Sequence, residues 1–251
     1  MIVVARMGEA RHLKRLAAPH FWPILRKEYV WVVKPSPGPH PIERGIPLLV
    51  LVRDVLGYAE TAREARRIIA EGKFWIDGVP RKSYKFPVGL MDVISIPETD
   101  EHYRMVPHPQ KFLWPIEIPR EEASLKLVRI ENKTTVKGGH IQLNLHDGRN
   151  ILIRVSDPTK PAEDVYKTMD SLLIKIPEQE IVEHVRFEEG ALAVVVEGKN
   201  VGRVGRVVGV VKGMGRHRTL VTLEDLEGHR FQTVLSYVFV IGKDKPLLKL
   251  W

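Results

Sequence analysis

Residues 61–78 read Thr61-Ala-Arg-Glu64-Ala-Arg-Arg-Ile-Ile-Ala-Glu-Gly72-Lys-Phe-Trp-Ile-Asp-Gly78. Thr61 with Glu64 three residues later is a capping box, in which each side chain satisfies a backbone amide that the first helical turn leaves without a partner. A helix is therefore expected to begin here. At helical spacing Ala65, Ile68 and Ile69 fall on one side, while Arg63, Arg66 and Arg67 fall within about 100° of arc on the other. The helix buries one face and presents three guanidinium groups on the opposite one. Gly72 ends it, and Phe74–Gly78 alternates as a strand into an Asp-Gly turn. Val93–Ile96 supplies a second strand for a small sheet. Upstream, Leu48, Leu49, Leu51, Val52, Val55 and Leu56 crowd together before Gly57, the pattern of a short buried helix with a glycine terminator.

Toward the amino terminus the chain is basic and irregular. Arg11-His-Leu-Lys-Arg15 is followed by Phe21-Trp22 and Arg26-Lys27, then by Pro35-Ser-Pro-Gly-Pro-His-Pro41. Prolines at every second position cannot continue a helix or a central strand, so this stretch is expected to be an extended spacer. Downstream, Pro97, Pro107, Pro109, Pro115 and Pro119 suggest a linker or an irregular packing segment. Strands return from Leu125. Ile141, Leu143 and Leu145 alternate before His146-Asp-Gly-Arg149, and Ile151, Ile153 and Val155 alternate after it, which is a strong hairpin signal. Residues 163–185 mix helix-like and strand-like patterns.

The last 63 residues change character again. Ala191–Val196 reads as a strand, followed by Gly198-Lys-Asn-Val-Gly202-Arg-Val-Gly205. Further strands are expected near Val207–Val211, Leu220–Leu223, Phe231–Val234 and Phe239–Ile241. Short strands punctuated by glycine suggest a small barrel of about five strands. From Gly198 to Leu223 the segment carries no acid, so its loops are expected to form a positive surface.

Composition narrows the function classes. The chain has 251 residues with 39 Lys+Arg against 31 Asp+Glu, a formal net charge of +8. The excess is uneven: residues 1–41 carry +5 and residues 189–251 carry +4, around a balanced middle. Localised basic charge calls for a polyanion, and nucleic acid is the commonest. The absence of cysteine excludes a disulfide framework, a zinc–cysteine site and a cysteine nucleophile together. No apolar run approaches the roughly 20 residues of a membrane helix. Residues 1–20 do not read as a secretory signal, nor does a basic amphipathic anchor occur. There is no phosphate-binding Gly-Lys-Ser/Thr loop, no nucleophile elbow and no His-Glu-x-x-His. Neither an enzyme, a cofactor, a metal nor a small-molecule substrate is called for.

Two segments resemble known modules. Glu64-Ala-Arg-Arg-Ile-Ile69, Gly72-Lys73 and Ile76-Asp-Gly78 resemble the small RNA-binding module of bacterial-type ribosomal protein "S-four", over about residues 44–106. Gly198–Gly205 resembles a KOW motif, a strand–loop–strand element of SH3-like barrels, where glycine lets the backbone approach phosphates. Their order on one chain decides between wider readings. A basic start with His12-Leu-Lys-Arg-Leu-Ala-Ala-Pro19, the proline spacer, the "S-four" module, a β-rich middle and a KOW segment together resemble the archaeal and eukaryotic small-subunit ribosomal protein family "S-four-e". The ending Gly228-His-x-Phe231-x-Thr233 and Val238-Phe-Val-Ile-Gly242 fits the same family, so the resemblance covers about residues 7–245.

The resemblance implies an α+β, multi-domain chain. Its parts are a basic extension (1–43), a small α/β RNA-binding module (44–106), a β-rich central domain (107–187), an SH3-like KOW barrel (188–243) and a tail (244–251). It implies a cytoplasmic structural component of the small ribosomal subunit, bound to its rRNA and to neighbouring ribosomal proteins. Charge then assigns the RNA contacts: Arg11, His12, Lys14, Arg15, Arg26 and Lys27 in an extension that orders on RNA, and Arg63, Arg66, Arg67 and Lys73 on the module. Lys199, Arg203, Arg206, Lys212, Arg216, His217 and Arg218 form a second platform. Trp22, Trp31 and Trp75 are expected to pack rather than stack on bases. The competing readings are a KOW-bearing translation or transcription factor, and an RNA-modifying or tRNA-charging enzyme anchored by an "S-four" module. The enzyme's Gly-Arg-Leu-Asp, His-Ile-Gly-His and Lys-Met-Ser-Lys-Ser signatures are missing.

Overall fold

A computed structural model describes residues 11–157, 163–213, 219–225 and 227–250, so Met1–Arg6 and Arg216–Arg218 lie outside the described residues. The architecture is β-rich and multi-domain. Its longest described helix is Ala62–Ala70, nine residues, so the α+β expectation overstated the helix content.

Thr61 caps that helix, its Oγ1 accepting from the Glu64 amide at 3.2 Å, while the Glu64 carboxylate reaches one residue beyond the N-cap and accepts from the Glu60 amide at 3.1 Å. Ala65 and Ile69 are buried, and Gly72 adopts φ +82° where the chain turns away. The second expected helix is a turn at Leu48–Val50 running into a π-helix at Leu51–Val55, and Leu48–Val52 is buried on all sides. Both lie against a five-stranded antiparallel sheet. Its order is Val79–Pro80, Trp75–Ile76, Val93–Ile96, Glu101–His108 and Phe112–Glu117. Asp77 (φ 53°) and Gly78 (φ 73°) make the tight turn joining the first two.

The proline-rich stretch is not a linker. Pro97, Pro109 and Pro119 fall in connections, whereas Pro115 lies on the edge strand Phe112–Glu117. Pro107 lies beyond the part of its strand paired with Val93–Ile96, so its missing N–H costs no bond on that side. The basic extension has a paired ribbon and a packed anchor. Leu13–Lys14 pairs with Trp31–Val32, and buried Trp22 donates from Nε1 to the Gly45 carbonyl at 2.9 Å.

The central sheet is antiparallel, in the order Asn150–Ile153, Ile141–Leu145, Leu125–Thr135, Ser171–Lys175 and Glu180–Val185. The ambiguous 163–185 segment thus supplies a hairpin. Its apolar run Leu172–Ile174 is buried throughout, which erased the alternation. The last sheet, also antiparallel, runs Arg230–Val234, Leu220–Glu224, Val204–Val211, Leu192–Val195 and Val238–Gly242.

Leu125–Thr135 joins these parts because both of its faces are covered over Lys126–Ile130. Val128 and Ile130 enter the central core, while Leu127 joins a cluster with Met91, Leu192, Phe239 and the tail residues Leu248 and Leu250. Arg129 donates from Nη1 to the carbonyls of Ser236 (2.9 Å) and Val238 (2.8 Å). Buried Arg104 binds Glu122 at 2.7 Å and the Lys249 carbonyl at 3.0 Å, holding the tail in place. Lys126, with no exposed surface, meets Asp77 and Asp92 at 2.7 Å and Asp147 at 3.0 Å. Arg149 adds a 2.8 Å contact to Asp77, and His40 Nε2 lies 3.0 Å from Asp92. Burial opposes the Lys126 charge, but the three carboxylates outweigh it and hold the ammonium well above its ordinary range. Burial likewise pushes Asp92 up, and His40 with Lys126 more than reverses this.

Two consequences can be measured. Lys126→Met removes the one cation shared by three buried carboxylates, leaving only Arg149 and His40 against them, and is expected to cost about 3–5 kcal/mol in denaturant unfolding, or to abolish folding. His146 accepts from the Arg129 amide at Nδ1 (3.2 Å) and lies 3.2 Å from the Leu90 carbonyl at Nε2, an arrangement that suits the neutral ring. Burial pushes it down from 6.5 to about 4, helped by Lys126, His40 and Arg129 and opposed by Asp147. Its contribution to stability is complete above pH 6.5 and is lost as pH falls toward 4. Melting temperatures across that window should fall less steeply for His146→Asn than for the unaltered chain.

Candidate nucleic-acid interface

The Ala62–Ala70 helix turns Arg63, Arg66 and Arg67 to solvent because Ala65 and Ile69 take the core side. Their surroundings differ. Arg63 has no ion-pair partner among the described residues. Arg66 lies over the Tyr84 ring at 4.7 Å and is exposed. Arg67 pairs with Glu71 at 3.3 Å one helical turn later, and is 84% exposed. Lys73 sits between Glu71 (3.5 Å) and Glu98 (3.3 Å), so its charge is compensated locally. Glu98 first, then Glu71, keeps its ammonium charged, and the same two carboxylates offset its field.

Sequence reasoning missed part of this surface. Lys85 also approaches the Tyr84 ring, at 5.7 Å, and exposed Lys82 lies beside Gly72 at the helix end. The signal was present as Arg81-Lys-x-x-Lys85 directly after the Asp-Gly hairpin. What sequence could not show is that the loop folds back beside the helix.

In the extension the six basic residues divide into two kinds. Arg11, His12, Lys14 and Lys27 are exposed. Arg15 is buried, bound to the Leu25 carbonyl and to Glu28 at 3.2 Å. Arg26 donates to the carbonyls of Ala18 (3.0 Å) and Pro19 (2.8 Å) at the end of the Arg15–Ala17 turn. These two arginines hold the extension's shape and do not face solvent as free cations. Trp22 is buried as expected, whereas Trp31 is 56% and Trp75 38% exposed, against the expectation of packing.

The last sheet brings acids that its own loop lacks. Arg203 pairs with Asp225 at 3.4 Å and lies over the Phe231 ring at 4.6 Å. Arg206 pairs with Asp244 at 3.1 Å. Lys199 and Lys212 are exposed, while Arg216, His217 and Arg218 lie outside the described residues. The acid-free stretch is thus partly neutralised by neighbours from other strands.

Three basic surfaces on a β-rich frame invite comparison with known proteins. The RS4NT (NUC023) domain matches residues 7–43, the S4 domain residues 46–94 and Ribosomal family S4e residues 99–181. Small ribosomal subunit protein eS4 of Aeropyrum pernix is 66% identical over 98% of both chains. The chain belongs to the ribosomal S4e family. The eS4 proteins of Staphylothermus marinus (65%, 98% of both chains) and Methanocaldococcus jannaschii (52%, 98% of this chain and 100% of the other) are similar over the same extent. The crystal structure of 30S ribosomal protein S4e from Thermoplasma acidophilum superposes with a TM-score of 0.65 at 32% identity, covering 80% of this chain and 96% of that one. The S4 domain match contains all three helix arginines together with Lys73, Lys82 and Lys85.

For this S4e chain, the intrachain acids set the sign of a simple test. Asp244 is 85% exposed, and Asp244→Asn frees Arg206 without disturbing the core. Affinity for small-subunit rRNA should rise about two- to threefold at low salt, and Arg206→Ala should lower it by a similar factor.

Proposed function

We propose that this chain is a structural component of the small ribosomal subunit that binds its rRNA and has no catalytic role. The observation that carries this reading is identity of 66% over 98% of both chains with a small ribosomal subunit protein. The exposed arginines of the Ala62–Ala70 helix supply a physical means. Arg63, Arg66 and Arg67 project from one rigid face at helical spacing, suited to phosphates on a folded RNA surface rather than to a base code. Arg11, His12, Lys14 and Lys27 extend the positive surface on the amino-terminal side, with Lys199, Arg203, Arg206 and Lys212 on the other.

On this reading the functional units are an extension 1–43, an RNA-binding module 44–106, a central domain 107–187, a KOW barrel 188–243 and a tail 244–251. The SH3-like reading of the last unit is supported by five antiparallel strands and by positive φ at Gly198 (84°) and Gly202 (79°) in its first loop. The Phe112–Glu117 strand crosses from the module's sheet into the central unit's range, so these two are joined by a shared hairpin. Neighbouring ribosomal proteins are the other partners, and the place of work is the cytoplasmic ribosome.

Sedimentation of an extract after a high-salt wash tests this directly. The protein should remain with the small subunit at about one copy per particle; release into the soluble fraction would favour a factor that cycles on and off. A second test addresses the helix. Replacing Arg63, Arg66 and Arg67 together by Ala should reduce the slope of log affinity against log salt by about 2–3, because each lost phosphate contact removes roughly 0.7–0.9. Each single replacement should weaken binding only a few-fold.

A further inference from the structure

The short ribbon formed by Leu13–Lys14 and Trp31–Val32 has two faces, because successive side chains of a strand alternate. Leu13 and Val32 pack on the core beneath. Lys14 and Trp31 are direct cross-strand neighbours on the outer face, and the His12 ring lies 5.6 Å from the Trp31 ring. Trp31 is 56% exposed although an inner face exists one residue away. Two residues upstream, Tyr29 is 62% exposed and rests on the anchored Arg15 guanidinium at 5.0 Å. The surroundings are positive: Arg11, Lys14 and Lys27 are exposed, and the one acid of residues 11–42, Glu28, is held by Arg15.

We infer that Trp31, backed by His12, is a stacking platform for an unpaired RNA base whose flanking phosphates lie on Lys14 and Arg11. An exposed aromatic face with a lysine directly across the ribbon and further exposed cations on the same segment matches the two requirements of single-stranded RNA, a π surface for the base and positive charge for the backbone. An apolar protein surface would instead be met by a patch depleted of charge. The inference rests on the rRNA-binding reading above and adds to it a site for a splayed-out nucleotide.

The test uses the full chain with Trp31→Ala, Trp31→Leu and Trp31→Phe. The probe is an unstructured RNA of about twelve nucleotides carrying one 2-aminopurine, with folded small-subunit rRNA bound in parallel. Trp31→Ala and Trp31→Leu should each weaken binding of the short RNA on the order of tenfold. Both should abolish the quenching of 2-aminopurine and leave the salt slope unchanged, while Trp31→Phe retains most of the signal. Unaltered quenching and affinity in Trp31→Leu would overturn the inference and point to an apolar protein neighbour. Failure of the unaltered chain to bind folded rRNA would instead refute the wider reading, so the two failures are distinct. Because Trp31 is exposed, all variants should melt as the unaltered chain does, and circular dichroism checks this.

Discussion

A single buried ammonium group holds the parts of this protein in register. Lys126 comes from the long central strand, Asp77 from the tight turn of the RNA-binding module, Asp92 from the start of its next strand, and Asp147 from the central hairpin. Each carboxylate is positioned in turn by backbone donors. Asp77 accepts from the Val93 amide at 3.0 Å, Asp92 from the Gly89 amide at 2.8 Å, and Asp147 from the Arg149 amide at 3.1 Å. An apolar seam of the same size could slide with little penalty. A dry ion cluster cannot, because each small displacement leaves a charge uncompensated. His40 closes the cluster from the proline spacer, where a Cβ on Gly89 would sit only 2.3 Å from its ring. Glycine is required there by close approach.

Fixing the modules fixes the distances between the basic surfaces, and that matters for an RNA-bound protein. Phosphate contacts are individually weak and nearly interchangeable. Affinity for one folded RNA therefore depends on presenting several of them at once with the right spacing. The rigid joints at Lys126, Arg104 and Arg129 supply that spacing, while the basic side chains at the surface stay adaptable. The tail contributes through Leu248 and Leu250 and through the Lys249 carbonyl held by Arg104, so it is part of the joint rather than an appendage.

Intrachain acids temper these surfaces. Glu71, Glu98, Asp225 and Asp244 each lie within ion-pair reach of a basic residue assigned to RNA. Exposed pairs of this kind add little stability, and a phosphate can displace them.

The amino-acid sequence by itself determined the elements whose signals are local. The Thr61–Glu64 box, the Gly72 stop, the Asp77-Gly78 turn and the alternation on either side of His146 are each written in a few adjacent residues. The same locality makes the arginine face legible, since helical spacing alone puts Arg63, Arg66 and Arg67 together. Tertiary structure decided what depends on partners far along the chain. Pro107 and Pro115 looked like linker residues because nothing local says which backbone amides go unpaired. Arg15 and Arg26 read as exposed cations because charge count cannot tell an arginine that binds carbonyls from one that faces solvent. Arg203 and Arg206 looked free because their acids arrive from other strands. Lys126 gave no signal at all: a lysine in a strand reads as exposed until three carboxylates, 49, 34 and 21 positions away, converge on it.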